Sequence, residues 1–391
     1  MNPRAAPLHA VNALAERLED ARNQTDALFA SLDPDALYQR PVIDRHRLIF
    51  YLGHLEAFDW NLVGRPSRPA FHSRFDKLFA FGIDPAPGGA PSDHASDWPS
   101  EREVRAYGAR VREAFDEALP HTPVQLLHVA IEHRLMHAET LAYLIHNLPY
   151  AAKHGPAPSP SAHAHPIANF MIEIPAGTAT LGRPRGDGFG WDNEFDQHSV
   201  PVPAFRISRF KITNGEYLEY VRAGAGPPHF WIEREGTWFQ RGMFGEIPLP
   251  LDWPVYVTHS QAEAYARWRG AALPSEAQFH RAAEGASPVN ANFERWDPVS
   301  VTGEGGASRY GAAQLVGNGW EWTSTIFAPF PGFEPFPFYP GYSADFFDDS
   351  HYVIKGGSPR TAACILRSSF RNWFRADYPY VYAGFRTVEN A

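Results

Sequence analysis

The sequence predicts two domains of different kinds: a bundle of four main α-helices, then an irregular α+β domain whose loops are held by aromatic rings. Three observations predict this. Apolar residues recur at helical spacing through the first 155 positions. Composition then changes, because residues 1–165 hold 13 of the 18 histidines but only 2 of the 11 tryptophans and 7 of the 31 glycines. Between the halves stands "KHGPAPSPSAHAHPIANF", with the Pro, Ala and Ser content of a linker or exposed crossover. The expected boundaries are 1–155 for the bundle, 156–166 for the linker and 167–391 for the second domain.

In the first half, Val11, Leu14, Leu18, Ala21 and Leu28 form an apolar stripe at helical spacing. Residues 44–63 and 101–118 repeat the pattern. The strongest helix is "TPVQLLHVAIEHRLMHAETLAYLIHNL", with Thr122 expected as N-cap, Pro123 in the first helical position and an unbroken run to Asn147. Four main helices suggest an up-and-down bundle, with a long irregular connection from Pro66 to Pro99. In the second half only two helices stand out. "SQAEAYARWRG" is expected to be capped by Ser260 and stopped by Gly270, and "PSEAQFHRAAEG" to start after Ser275. Short apolar runs separated by Gly and Pro fill the rest.

Several function classes are disfavoured. A net charge of -9 with no basic stripe argues against nucleic-acid binding. No apolar run approaches the roughly 20 residues that span a bilayer, and "MNPRAAPLHAVNALAERLED" lacks the apolar core of a signal peptide. The single cysteine, Cys364, rules out an internal disulfide and reads as a buried small hydrophobe. The expectation is a soluble cytoplasmic protein that acts on small molecules, without nucleic-acid or membrane partners.

The histidines of "HRLMHAET" carry the first chemical signal. His133 and His137, four apart, share a helix face and can reach one ion, although such pairs are often only solvated or hydrogen-bonded. His54, in "RHRLIFYLGHLEAFDWN", lies among Phe50, Tyr51 and Phe58, where an unpaired polar group is costly. Three neutral imidazoles from two helices suit Fe(II) or Zn(II), and the donors do not separate the two. Glu139 is expected on another face, as a supporting or surface carboxylate. His46, His121, His128 and His146 read as structural or surface residues.

"YLGHLEAFDWN" followed by "HRLMHAET" resembles the iron-binding half of DinB-like four-helix bundles. The specific match is to the sulfoxide synthases of ergothioneine and ovothiol biosynthesis. The second half resembles the formylglycine-generating-enzyme-like fold, related to C-type lectins. That likeness rests on "GWDNEFDQHSVPVPAFRISRFKITNGEYLEYV", "WPVYVTHSQAEAYARWRGAALPSEAQFHRAA", "GNGWEWTSTIFAPFPGF", "YVIKGGSPRT" and "SSFRNWF", in family order. The resemblance implies a metal-binding first domain, a substrate-binding second domain and a mononuclear non-haem iron enzyme. Such an enzyme uses O2 to join a chalcogen to C2 of the imidazole of hercynine, Nα-trimethylhistidine. It implies His54, His133 and His137 as Fe(II) ligands, and Asn372 with Trp373 as hercynine-binding residues. The aromatic tail "SFRNWFRADYPYVYAGFR" could cage a trimethylammonium, although most of its rings are expected to fill the core.

Departures from the family pattern bear on the chalcogen donor. Phe374 stands where synthases that take γ-glutamylcysteine usually have Asp after Asn-Trp. Trp98 stands in "HASDWPSEREVRAY", where an Arg-x-x-Arg-Pro motif would grip the donor's carboxylates, and Met136 stands where the family tends to have Gln. A tryptophan face stacks well on a sugar. The resemblance therefore points to a variant within the family, selenoneine synthase, which takes a selenosugar related to 1-seleno-N-acetylglucosamine. The thiol-using ergothioneine-type sulfoxide synthase is the alternative. Phe327 and Phe330 replace a family tyrosine acid, leaving Tyr339, Tyr342 or Tyr352 as substitutes. Asn318 and Glu321 either bind a structural Ca²⁺, as in some relatives, or brace their turn. Two rival classes stand beside the synthase: a zinc-dependent thiol transferase and a lectin-like binding module.

Overall fold

The computed structural model describes residues 8–64, 71–80, 92–158 and 165–391. The chain divides into two compact units, Met1–Pro156 and Ala157–Ala391.

The first unit is built on α1 (Leu8–Ala30), α2 (Leu48–Gly64), a single turn α3 (Phe75–Leu78), α4 (Glu101–Ala118) and α5 (Val124–His146). Helix α1 packs on α5, and α2 packs on both α4 and α5. Val11, Leu14, Leu18, Ala21 and Leu28 are all buried, as one face of α1 requires. Helix α2 starts at Leu48 rather than at 44, because the chain after Pro41 turns and the Arg45 N–H bonds to the Val42 carbonyl. Helix α4 opens with a reciprocal capping box between Ser100 and Glu103. Thr122 does not cap α5. Its hydroxyl donates to the Ala118 carbonyl at 2.9 Å, and Pro123 takes the N-cap position. At the other end, the buried Lys153 ammonium donates to the carbonyls of Ile145 and His146, both at 2.8 Å. This places a cation on the orphan acceptors of the last turn. The connection after Pro66 is less irregular than expected: its described parts carry α3 and a 3-10 turn over Ala95–Asp97.

Inside the bundle, a buried charge network fixes the register of α2 against α5. Arg134 donates to Glu56 at 2.9 Å and to Asp59 at 2.8 Å, all three nearly inaccessible. Arg112 of α4 joins the same Glu56 to Asp26 of α1. Burial pushes the Glu56 carboxyl up, but Arg134 and Arg112 outweigh it and hold the group below its usual value. Asp59 is left less compensated, and burial pushes it up to about 6.

In the second unit the strands are β1 (Met171–Ile174), β2 (Gly177–Leu181), β3 (His198–Val202), β4 (Phe205–Ser208), β5 (Trp231–Arg234), β6 (Thr237–Arg241) and β7 (Glu246–Pro248). After a long excursion come β8 (Trp320–Ile326), β9 (His351–Lys355), β10 (Asn372–Arg375), β11 (Ala383–Gly384) and β12 (Val388–Asn390). They form four small sheets, ordered β1-β4-β12, β2-β3, β5-β6-β7 and β10-β9-β8-β11. The core gathers Ile174, Val202, Phe205, Ile207, Phe279 and Leu315, with Trp191, Trp320 and Trp322 fully buried.

Among the described residues, three α-helices serve this unit: α6 (Asn214–Arg222), α7 (His259–Trp268) and α8 (Glu276–Ala282). Helix α6 was not expected, and a Thr213–Glu216 capping box starts it. Helix α7 is capped by Thr258 rather than Ser260, since the Thr258 hydroxyl accepts from the Gln261 N–H. Ser275 caps α8 as expected, and Gly270 (φ +70) ends α7 as a left-handed stop.

Of the two alternatives for Asn318 and Glu321, the contacts follow the bracing one. Glu321 is fully buried between Lys211, at 2.5 Å, and Arg386, at 3.0 Å. Asn318 exchanges hydrogen bonds with Asn290, Val299 and Gln314. Both side chains brace their turn. Cys364 is half-buried rather than buried. Among the described residues no helix is long and apolar enough to cross a membrane.

Candidate metal centre

His54 sits in the middle of α2, and His133 and His137 sit one turn apart on α5. The packing of α2 on α5 brings them together, with ligand atoms from all three within 4.8 Å of one another. They are the one such group of histidine, cysteine or carboxylate side chains found among the described residues. Each is at most 3% exposed.

Burial lowers the pKa of all three, His54 to about 4 and the other two well below their ordinary value; the neighbouring histidines and arginines add to the effect. The imidazoles are therefore neutral at physiological pH, the form that binds a metal. His54 Nδ1 lies 2.7 Å from the Phe79 carbonyl oxygen. A carbonyl only accepts, so Nδ1 carries the proton and Nε2 presents its lone pair. That Nε2 is buried and has no hydrogen-bond partner among the described residues. His133 Nε2 and His137 Nε2 lie 3.2 Å apart.

An ion about 2.0–2.1 Å from each nitrogen would set neighbouring donors roughly 2.8–3.4 Å apart, depending on octahedral or tetrahedral angles. The donor set fits one divalent transition metal, with three nitrogen ligands and further positions open. Aromatic rings hold the imidazole planes. Phe50 stacks on His54 at 4.9 Å and Phe58 on His133 at 3.4 Å. Both rings lie one turn from His54 on α2, one before it and one after. His46 stacks on Phe50, and Tyr51 lies 5.8 Å from His137. Glu139 is buried, not on the surface.

The other residues singled out from sequence are placed as follows. Trp98 is half-buried in the first unit; its indole N–H donates to Asp93 at 2.7 Å, and its ring lies 6.2 Å from both Phe50 and Phe79. Met136 is half-buried on α5, next to His137. Asn372, Trp373 and Phe374 follow one another on β10, an edge strand. Successive strand residues point to opposite faces, so Asn372 and Phe374 share one face and Trp373 takes the other. Trp373 stacks on Phe327 at 4.1 Å, with Tyr342 and Phe346 each 5.5 Å away. Phe374 stacks on Tyr378 at 5.2 Å.

Of the three tyrosines considered as acids, Tyr342 lies beside Trp373 and Tyr339 lies 5.5 Å from Tyr342, with its phenol pushed up to about 12 by burial. Tyr352 stacks instead on His259 at 3.7 Å. Arg367 and Arg371 are ion-paired to Glu194 and Glu276, and Arg360 packs on Trp296. Sequence reasoning missed the Phe79 carbonyl and the stacking role of Phe58. It also missed a cavity of about 410 Å³ in the second unit, lined by Thr180, His280, Trp320, Lys355 and Phe370 among others.

Comparison with known proteins agrees with both halves. Residues 17–146 match the DinB superfamily, and residues 157–391 match the sulfatase-modifying factor enzyme 1-like domain. Hercynine oxygenase of Mycolicibacterium smegmatis is 32% identical over 439 residues, covering 95% of this chain and 97% of that protein. Hercynine oxygenase of Mycolicibacterium thermoresistibile is 31% identical, covering 95% and 94%. Ergothioneine biosynthesis protein 1 of Neurospora crassa is 28% identical over 92% of this chain, which spans only 55% of that longer relative. With both domains matched in order and such identity along nearly its whole length, the chain belongs to the hercynine oxygenase family, a DinB superfamily bundle followed by a sulfatase-modifying factor enzyme 1-like domain.

Proposed function

We propose that the protein is a non-haem iron oxidoreductase that uses O2 to join a chalcogen nucleophile to C2 of the hercynine imidazole. One observation carries this reading: three buried, neutral imidazoles converge in the bundle of a chain related along its length to hercynine oxygenases. Bound by His54, His133 and His137, Fe(II) would supply O2 activation and open positions for the reactants. The protein's own part is to keep three lone pairs free of protons, to hold the ring planes through Phe50 and Phe58, and to bind the two organic substrates. Asn372 and Trp373 are the hercynine-binding residues in this reading, since aromatic faces suit a trimethylammonium that has no N–H to donate. Trp98, Met136 and Phe374 are the positions that bear on donor choice in this reading.

With a thiol donor, the balance is hercynine C–H plus RS–H plus O2 giving hercynine C–S(=O)–R plus water. One oxygen atom ends on sulfur and the other in water. Four electrons reach O2, two through C–S bond formation and two from sulfur oxidation. The names of the relatives favour this ergothioneine-type reading, with a donor such as γ-glutamylcysteine.

A second reading, selenoneine synthesis from a selenosugar, is favoured by one feature of this chain. Where the family's arginine clamp is expected stands Trp98, and Arg40 and Arg47 are ion-paired to Asp93, the same carboxylate that accepts the Trp98 indole N–H. An indole face packs on a sugar ring, and the one N–H that Trp98 could give a donor's carboxylate is already donated to Asp93.

The test is to incubate Fe(II)-loaded protein in air with hercynine and either γ-glutamylcysteine or the selenosugar, following hercynine-derived masses. A sulfoxide from the thiol supports the ergothioneine-type reading. A selenium adduct from the sugar alone supports the second. No product from either, with metal bound, moves the assignment to the zinc transferase or binding-module classes.

A further inference from the structure

A glycine in the middle of α2 has no reason to be there on propensity grounds. Gly53 lies in a helix interior, where glycine costs about 1 kcal/mol relative to alanine. The structure supplies the reason. A Cβ on Gly53 would lie 2.5 Å from the Cε1 and Cζ atoms of Phe79, far inside van der Waals contact. The missing side chain leaves a notch on α2, and the Phe79 ring fills it.

The ring is wholly buried and hemmed in by Phe75 at 5.6 Å, Tyr107 at 6.1 Å, Trp98 at 6.2 Å and Phe50 at 6.4 Å. The same residue's carbonyl accepts the His54 Nδ1 proton at 2.7 Å. The segment carrying Phe79 is also tied down by the Tyr107 hydroxyl, which donates to Asp76 at 2.9 Å. Ring seat, carbonyl and metal-ligand candidate thus form one chain of contacts: Gly53, Phe79, His54.

We propose that Phe79, seated in the Gly53 notch, is the positioning residue that sets the tautomer of His54. Its carbonyl holds the proton on Nδ1, so that Nε2 faces His133 and His137 with its lone pair available. This deepens the metal-centre reading and rests on it. His54 is the one member of the triad whose second nitrogen is hydrogen-bonded among the described residues, since Nδ1 of His133 and of His137 has no such partner. The alternative tautomer would place an N–H where a lone pair is needed. It would also leave the Phe79 carbonyl without its donor.

The experiment has two readouts besides turnover. Long-range proton–nitrogen correlation spectra of the metal-free protein at pH 7 report which His54 nitrogen carries the proton. Chelator competition with Co(II), done on the same samples, reports metal affinity. In the wild type the proton is expected on Nδ1. Gly53→Ala is expected to mix the two tautomers and weaken Co(II) binding by about 10–100-fold, the usual consequence of losing a group that orients a metal ligand. Gly53→Ala combined with Phe79→Ala removes the clash but also the seated ring, so the two tautomers are expected to stay mixed and Co(II) affinity to stay below wild type. Phe79→Leu, which leaves the notch open, is the second variant should Gly53→Ala fail to fold, and a weakened affinity is expected there too. A wild-type His54 protonated on Nε2, or Gly53→Ala with unchanged tautomer and affinity, overturns the proposal. If wild-type protein binds no Co(II), the metal reading falls, and the tautomer measured in that sample still decides this one.

Discussion

Phe58 lies flat on His133, with ring centroids 3.4 Å apart and planes within 10°. An imidazole on a helix has a free χ2 unless something fixes its plane, and here the fixing group comes from the facing helix. Phe58→Leu keeps the volume apolar but removes the flat face. It is expected to lower metal affinity about tenfold or more, by chelator competition, while thermal unfolding shows only the modest loss of a half-buried ring. The histidines also predict an acid response. His54 titrates near 6.5 when unfolded and about 4 when folded. Between those values the unfolded chain binds more protons, so stability is lost as pH falls through that window, by about 3 kcal/mol for His54 alone. His133 and His137 act in the same direction. Asp59, pushed up to about 6, acts oppositely above its unfolded value of 3.8 and offsets part of it. Urea titrations of metal-free protein at pH 7.5 and 5 should show the decline. His280 shares the window, lowered to about 3, so the contribution of the triad is read from a His54→Gln variant. That variant's dependence on pH should be shallower.

At the scale of elements, the charges that cross the bundle do more for register than for net stability. Arg134 is completely buried against Glu56 and Asp59. Arg134→Met keeps the stem but leaves Glu56 with Arg112 alone and Asp59 without its buried cation, and is expected to destabilise by about 3–5 kcal/mol in urea. A loss under 1 kcal/mol would mean that the carboxylates simply take up protons. This network was not legible in the sequence, although the helices that carry it were. A 3.6-residue apolar period reports which face is buried, so α1, α4 and α5 could be read directly from Val11, Val104 or Leu141. The period says nothing about which polar residues meet across helices. Caps were legible only to within a residue or two, because Thr122 and Ser260 look like caps but Pro123 and Thr258 hold the positions. The triad was partly legible. His133 and His137 declare themselves by spacing, whereas His54 needed a resemblance. The Phe79 carbonyl lies 25 residues from the histidine it orients, within a connection without periodicity. No side-chain pattern marks a backbone acceptor.

At the scale of the whole molecule, each unit carries one departure from the family pattern, and substitution at each tests its effect on donor choice. Trp98 belongs to the bundle and Phe374 to edge strand β10 of the second unit. If these residues set the donor, Trp98→Arg with Phe374→Asp should shift preference toward a carboxylate- and ammonium-bearing thiol. A charge-assisted hydrogen bond contributes roughly 1.5–3 kcal/mol, so one contact regained corresponds to about 10–150-fold in the ratio of kcat/KM for γ-glutamylcysteine over the selenosugar. The substitutions are not symmetrical. Phe374 is half-buried and stacked on one ring, Tyr378, so an aspartate there stays near water. Trp98 contacts Phe50 and Phe79 and donates to Asp93. An arginine in its place joins Arg40 and Arg47 around one carboxylate, which leaves it less than fully paired and free to bind a donor. It also removes a ring from the wall beside Phe79, so metal affinity must be measured in the same variant. A shift in donor preference with metal affinity held within a few-fold would assign donor choice to these two positions. An equal fall for both donors, tracking metal loss, would assign Trp98 to the support of His54 instead.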